Sequence, residues 1–365
     1  MKKVKMAIVG AGTWGANHAR IYAAHPFAQV AAVCDRDREK AEKVAREEGV
    51  PAVYDDCDRM LRECECDAVA IVTPDFAHAD IAVKAANAGR HVLIEKPLAT
   101  TREDALRILA ACEKNGVRGM VDLHNRWNPP FHAAWQSVRA GELGRAYSAY
   151  YRLNDVRWVA TDMLPWAAKS SILWFLGSHS LDTLMWMFAS RPKRVYSVST
   201  AGVLSSPGVP DRQGRPLPCG IDTADEYLTT IEFENGAVAQ MENGWVTPNG
   251  NPCVTDIKFT ILGEKGMVSV DASDHSMIRK YADTQVTVPD VIVQNSIFGK
   301  PKGFAFESIR SFVDCLITGE EFPVTLRESA YGVMAILAIM ESARTRMPVD
   351  VDYGPLQADA YPGGR

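Results

Sequence analysis

The chain contains no apolar run long enough to cross a membrane. Its most hydrophobic window, Ile172 to Ala189, is interrupted by His179 and Asp182, so it reads as a buried helix and not as a span. The opening Met1-Lys2-Lys3-Val4 carries positive charge, yet no signal-length apolar core and no small-residue cleavage site follow it. A basic excess is lacking too. The formal net charge is −5, which argues against a general nucleic-acid binder. Paired metal-binding cysteines are missing as well. Of eight cysteines, only Cys64 and Cys66 form a C-x-C, with no second pair beside it, so no metal site is expected. Single cysteines in apolar surroundings, such as Cys34 and Cys112, fit a reducing, cytoplasmic compartment. Repeats and low-complexity tracts are absent. What remains is a 365-residue chain, 47% hydrophobic and 23% charged, long enough for two globular domains.

What is present begins with strand, glycine turn and helix. Val4 to Val9 is an apolar run ending at Gly10-Ala11-Gly12-Thr13-Trp14-Gly15, and Ile21 to Ala24 supply an apolar helix face beyond it. In that context a G-x-G-x-x-G pattern points to a dinucleotide. Gly10 permits the tight turn, Gly12 lets backbone approach a pyrophosphate, and Gly15 lets helix and strand pack closely, with free helix N–H groups facing the phosphates. A second run, Val30 to Cys34, ends in Asp35, 20 residues beyond Gly15. An acid at that spacing meets the ribose hydroxyls and repels a 2′-phosphate, which favours NAD. Arg36 follows at once and keeps NADP open: it can stack on adenine or, with Arg38, pair with a 2′-phosphate.

The alternation continues through a charged helix, Arg36 to Glu48, and a strand, Ala68 to Val72, that ends at Thr73-Pro74. Next come a helix from Asp75 to Ala88 closed by Gly89, a helix from Arg102 to Asn115 closed by Gly116, and a strand from Gly119 to Asp122. Such regularity predicts a doubly wound parallel sheet. Between the two helices lies Val92-Leu93-Ile94-Glu95-Lys96-Pro97. Pro97 cannot donate to a ladder and restricts the residue before it, so Lys96 is held at the strand's carboxyl end, where ligands of open α/β sheets bind. A lysine there can hydrogen-bond a substrate hydroxyl or take its proton; the alternative is a strand ending in a solvated turn. His78 reads as periphery of a cofactor site, with helix capping as its other reading.

The glycine turn, Thr73-Pro74 with His78, and Gly89-Arg90-His91-Val92-Leu93-Ile94-Glu95-Lys96-Pro97 resemble the Gfo/Idh/MocA oxidoreductases, most strongly in the first third of the chain. The resemblance implies an N-terminal Rossmann domain and a C-terminal α+β domain with a large open, mainly antiparallel sheet. On this chain that places the domains at 1–123 and 124–352, with 353–365 as a loose tail. It further implies hydride transfer between NAD(P) and a hydroxyl carbon of a sugar, cyclitol or derivative, in a homo-oligomer, dimer or tetramer. The cofactor residues implied are Gly10, Gly12, Thr13, Trp14, Gly15, Asp35, Arg36, Thr73, Pro74, His78, Glu95, Lys96, Arg126 and Trp166.

After Asp122 the pattern changes. His124-Asn125-Arg126-Trp127-Asn128-Pro129-Pro130 is a turn-rich junction; Arg126 stands where the family carries an arginine, either to touch nicotinamide or substrate or to cap the junction. Strand-like runs follow from Ala146 to Asp271, with hairpin signals at Glu234-Asn235-Gly236 and Gly263-Glu264-Lys265-Gly266. Ser205 to Gly220 reads as a long connection, a lid or an arm. Two helices, near Phe304 to Thr318 and Leu326 to Thr345, are expected to pack on the second domain.

In this family the helix matching Ser170 to Asp182 usually carries a glycine run, an Asp, a His four residues later and another Asp three beyond. His179 and Asp182 match the last two, Phe175 stands in place of the first Asp, and Lys169-Ser170-Ser171 replaces the glycines. Four residues are one helical turn, so Phe175 lies beside His179, removing a polar partner and narrowing or drying the pocket. The resemblance thus makes Lys96 and His179 the catalytic pair, joined on the substrate side by Asp162, Phe175 and Asp182. A core histidine bonded to Asp182 or backbone is the other reading of His179, and Asp182 either orients it or anchors the helix. Trp166 falls where members often have a tryptophan near the nicotinamide, and Asp155 and Arg157 precede it in a polar loop. The activity expected is an NAD(P)-dependent dehydrogenase acting on CH–OH groups of a small molecule, without nucleic-acid or membrane partners. Two rivals stay open: a cofactor-binding member without dehydrogenase activity, and an enzyme recycling tightly bound NAD in glycoside cleavage or epimerisation through a keto intermediate.

Overall fold

The computed structural model describes residues 3–273, 278–281, 283, 286–288 and 291–361. Two compact units divide the chain: Met1–Trp127 with Val293–Val333, and Asn128–Ile292 with Met334–Arg365.

In the first unit, β1 (Val4–Val9), β2 (Ala28–Cys34), β3 (Ala52–Tyr54), β4 (Ala68–Ile71), β5 (His91–Glu95) and β6 (Gly119–Asp122) form one sheet in the order 3-2-1-4-5-6. All its pairings are parallel. The connecting helices are α1 (Thr13–Ala24), α2 (Arg38–Glu48), α3 (Cys57–Glu63), α4 (His78–Asn87) and α5 (Arg102–Asn115). Every residue of β4 and all of β5 after His91 is buried, the signature of strands covered on both faces. Strand order reverses between β1 and β4, so the carboxyl ends of these strands flank the crevice where such sheets take ligands. β3 and α3 are not among the elements the alternation predicts.

The second unit contains α6 (Pro129–Arg139), β7 (Ala146–Val156), α7 (Ser178–Phe188), β8 (Pro192–Thr200), β9 (Glu226–Phe233), β10 (Val238–Thr247), β11 (Thr255–Gly263) and β12 (Met267–Asp271). Its sheet runs β12-β11-β7-β10-β9-β8 and ends on the short strand Val349–Asp350. β10 lies parallel to β7, and every other neighbouring pair is antiparallel. Residues alternate as they should when one face is covered: Ala149, Tyr151 and Leu153 are buried, whereas Tyr150 is exposed. On the covered face the Phe131 ring of α6 sits 5.7 Å from the rings of both Tyr151 and Phe259.

Two expectations are corrected here. α8 (Phe304–Thr318) packs against α1, β1 and β6 inside the first unit and not on the second domain. Its buried face carries Ser308, whose hydroxyl reaches Asp122 at the end of β6. The division between the units falls within α9 (Leu326–Thr345). The start of the supposed loose tail is anchored as well. Tyr353 is buried under the Arg191 guanidinium, 4.4 Å from its ring centre, and Arg191 donates to the carbonyls of Leu356 and Gln357 at 3.0 and 2.8 Å. Among the described residues no helix is long and apolar enough to cross a membrane.

Candidate active site

The glycine turn after β1 is shaped by contacts that only glycine allows. Gly10 has φ +108°, and a Cβ there would stand 2.2 Å from the Val72 carbonyl oxygen. A Cβ on Gly15 would stand 2.0 Å from the Gly10 oxygen, so α1 packs directly on the turn. Gly12 differs: it is exposed, and a Cβ there would meet nothing within 4 Å. Its backbone is therefore open to an approaching ligand. Thr13 is exposed and Trp14 half-buried at the start of α1, whose first turn carries no acid to oppose an anion.

Asp35, at the end of β2, accepts the Ala11 N–H on one carboxylate oxygen at 2.7 Å and the Asp37 N–H on the other at 2.9 Å. It braces the glycine turn from the side while remaining half-exposed, next to exposed Arg36. Thr73 and Pro74, half-buried, follow β4. His78 is fully inside, with one ring nitrogen 2.8 Å from the Pro97 carbonyl and the other 2.9 Å from that of Thr73. One imidazole thus ties together the turns that end β4 and β5, and burial pushes its pKa down.

Lys96 itself is half-buried, and its peptide bond to Pro97 is cis. Its charge acts on two buried imidazoles, His78 and His124. Burial, with Lys96 adding to it, pushes the His124 pKa down to about 3. Glu95, expected among the cofactor residues, turns into the unit's interior. Only 7% exposed, it lies 2.8 Å from His18 Nε2 and takes a hydrogen bond from the Trp14 indole. Arg126 is also drawn inward: its guanidinium donates to the Pro323 carbonyl at 2.6 Å and faces Glu328 at 3.5 Å.

In the second unit, two π-helical turns, Val159–Met163 and Leu173–Gly177, flank the loop that holds Trp166. Such turns are uncommon and cluster at functional sites. The second runs into α7, where His179 and Asp182 are both buried. Asn243 of β10 fastens this helix, donating to Ser180 Oγ at 2.9 Å and to the Leu153 carbonyl at 3.1 Å. From Ser171 to Phe188 every residue is buried except Phe175, which is half-exposed. Asp162 is exposed and accepts the Arg212 N–H at 3.0 Å from the long connection. Asp155 is buried and bonded by the Thr255 hydroxyl at 2.7 Å, so it serves the sheet and not an open loop.

Residues 4–123 match the oxidoreductase family with an NAD-binding Rossmann fold, and residues 131–269 match the GFO/IDH/MocA C-terminal domain. D-apiose dehydrogenase of Paraburkholderia graminis is 30% identical over 365 residues, 99% of this chain and 92% of that protein. The chain belongs to the Gfo/Idh/MocA oxidoreductase family. Scyllo-inositol 2-dehydrogenase (NAD(+)) of Bacillus subtilis is 26% identical, covering 96% of this chain and 97% of the relative. The fold is shared with scyllo-inositol dehydrogenase of Lactobacillus casei, solved with NAD(H) and scyllo-inositol: TM-score 0.80 at 19% identity, covering 96% and 99% of the two chains.

As a Gfo/Idh/MocA member the chain binds NAD in its first unit, and the residues present fit that nucleotide. A glycine cradle that a Cβ would fill, an open Gly12 and the acid at Asp35 suit a pyrophosphate and a ribose diol. His18, Tyr22, Asp122 and Ser308 join Glu95 inside the first unit without a motif that marks them. His18 carries a faint signal, one turn past Gly15 on the inward side of α1. Ser308 carries none, because 186 residues separate it from Asp122.

Proposed function

We propose that this protein is an NAD-preferring dehydrogenase that oxidises a hydroxyl carbon of a sugar, cyclitol or related derivative. The observation that carries the reading is Lys96: a half-buried amino group at the carboxyl end of β5, whose charge acts on the buried imidazoles of His78 and His124. Bound NAD supplies the hydride acceptor. Lys96 orients the substrate hydroxyl and, as the neutral amine, takes up its proton to become the ammonium. From the second unit we assign His179 to proton handling, and Asp182, Phe175, Asp162 and Trp166 to orienting, shaping or bordering the substrate's surroundings. Asp35 favours NAD over NADP, since its carboxylate repels a 2′-phosphate.

Further parts of the reading are a homo-oligomer and a reducing, cytoplasmic setting. Tyr150, Tyr196, Leu228 and Val238 on the uncovered sheet face of the second unit are all exposed, which supports self-association there. Among the described residues no cysteine is placed in a disulfide.

The test is cofactor reduction across a panel of sugars and cyclitols, comparing wild type with Lys96→Ala. The variant is expected to bind NAD normally while turnover falls by about 10²–10⁴-fold. Full turnover in Lys96→Ala would overturn the assignment.

A further inference from the structure

Next to Lys96 in the chain, Glu95 belongs to a closed polar cluster built from four elements: His18 of α1, Glu95 of β5, Asp122 of β6 and Ser308 of α8. His18, Glu95 and Asp122 each place a side-chain atom within 4.8 Å of the others, and their exposures are 0%, 7% and 0%. His18 Nε2 lies 2.8 Å from Glu95, and the Tyr22 hydroxyl lies 3.3 Å from His18 Nδ1. These contacts suit one neutral tautomer, with the hydroxyl donating to Nδ1 and Nε2–H donating to Glu95. With the Trp14 indole as a second donor, Glu95 has what a buried carboxylate needs.

Asp122 does not. Ser308 donates to its Oδ1, but its buried Oδ2 meets no donor among the described residues. His124 Nδ1 stands 4.0 Å from Oδ1, beyond hydrogen-bond reach, and His18 Nε2 is engaged by Glu95. The neighbour it does have is another carboxyl group. Two buried carboxylates in contact cannot both ionise, whereas one proton between them converts repulsion into a strong O–H···O⁻ bond.

We propose that Asp122 is a neutral acid at neutral pH that donates its proton to Glu95, and that the single negative charge left on Glu95 is the buried counter-charge that positions Lys96. The groups that reach the pair are His18 and Tyr22 from α1, Lys96 after β5 and His124 after β6; α8 contributes only the uncharged Ser308. Burial pushes both carboxyls up, Asp122 well above its ordinary range and Glu95 to about 7, with Lys96 holding Glu95 lower. Asp122 and Glu95 thereby become positioning residues. The inference rests on the reading of Lys96 given above.

Infrared spectra of the purified protein test the proton directly. A carbonyl band of a protonated carboxylic acid is expected at neutral pH, lost in Asp122→Asn and displaced in Ser308→Ala, the milder change should the first variant fail to fold. Absence of the band in the wild type, or a stoichiometric metal ion found by elemental analysis, would overturn the shared proton. The link to Lys96 is read by NMR of isotopically dimethylated lysines, with Lys96 assigned through Lys96→Arg. Glu95→Gln should lower its titration by about one pH unit and Asp122→Asn by a few tenths; equal shifts, or none, overturn the link. If the shifts appear but Lys96→Ala keeps full turnover, the functional reading has failed while the counter-charge stands.

Discussion

His18 Nε2 lies 2.8 Å from Glu95 Oε1, and this one bond fastens the helix behind the glycine turn to the strand that ends in Lys96. Both side chains are buried, so water cannot replace either partner. His18→Ala removes a donor from a buried carboxylate and leaves a cavity. We expect it to cost about 2–4 kcal/mol in urea unfolding. His18→Gln, which keeps a donor, should recover roughly half of that loss. An unchanged midpoint for His18→Ala would mean that Glu95 does not depend on the imidazole.

Gly12 and Gly15 separate ligand binding from folding. A Cβ at Gly12 meets nothing within 4 Å, whereas at Gly15 it collides with the Gly10 oxygen at 2.0 Å. Gly12→Ala is therefore expected to melt like wild type yet bind NAD about tenfold or more weakly, because the methyl group occupies the path of the pyrophosphate. Gly15→Ala should lose stability and nucleotide together. Calorimetric titration beside thermal melting separates the two; parallel behaviour of the variants would refute the distinction.

Much of the first unit is legible in the sequence because its signals are local. The helix over Arg102–Asn115 closes at Gly116 in the left-handed conformation, as its glycine predicts, and apolar runs such as Ala68–Ile71 become buried strands. β3 and α3 escape detection: three and seven residues are too few to show a period. Long-range packing escapes too. An apolar helix face is visible at Phe304 to Phe312, but nothing local says that it covers β1 and β6. The same holds for the site. Glycines, Asp35 and Lys96 follow from spacing and chain order, whereas the inward turn of Glu95 depends on His18 and Asp122, 77 residues away in one case and on a different strand in the other.

Asp35 has two duties, and substitution should reveal both. Its carboxylate accepts the N–H groups of Ala11 and Asp37 while staying half-exposed beside Arg36. Asp35→Ser removes the charge that opposes a 2′-phosphate and leaves Arg36 to attract one. The ratio of NADP(H) to NAD(H) affinity should rise by about 10–100-fold, with a modest loss of overall affinity as the brace on Ala11 goes. A ratio that does not move would show that Asp35 acts on the turn alone.

Phe175 is the single half-exposed residue in a segment otherwise buried from Ser171 to Phe188. It is the one position of that segment that solvent reaches. Phe175→Asp should change the melting temperature by only a few degrees while shifting kcat/KM by about tenfold or more towards substrates richer in hydroxyl groups. A large drop in stability with unaltered substrate ranking would identify Phe175 as a core residue.

The pH dependence of stability combines groups of opposite sign. Burial keeps His18 and His124 neutral down to about 4 and about 3, against 6.5 ordinarily, and lowers His78 and His91 as well. Below 6.5 the unfolded chain binds the extra protons, so stability falls as the solution is acidified. Glu95 and Asp122 work the other way. Their folded-state pKa values lie above the ordinary 4.5 and 3.8, so their contribution is full below those values. It is lost as the pH rises through about 7 for Glu95 and higher for Asp122. Between these windows the two sets offset one another, and the melting temperature should peak at about pH 5 to 6.5 and decline on both sides. Asp122→Asn has no proton to lose, so its decline on the alkaline side should be shallower while the acid side is unchanged. Differential scanning calorimetry across the range decides it: an alkaline decline as steep in Asp122→Asn as in the wild type would place the titrating proton somewhere other than between Glu95 and Asp122.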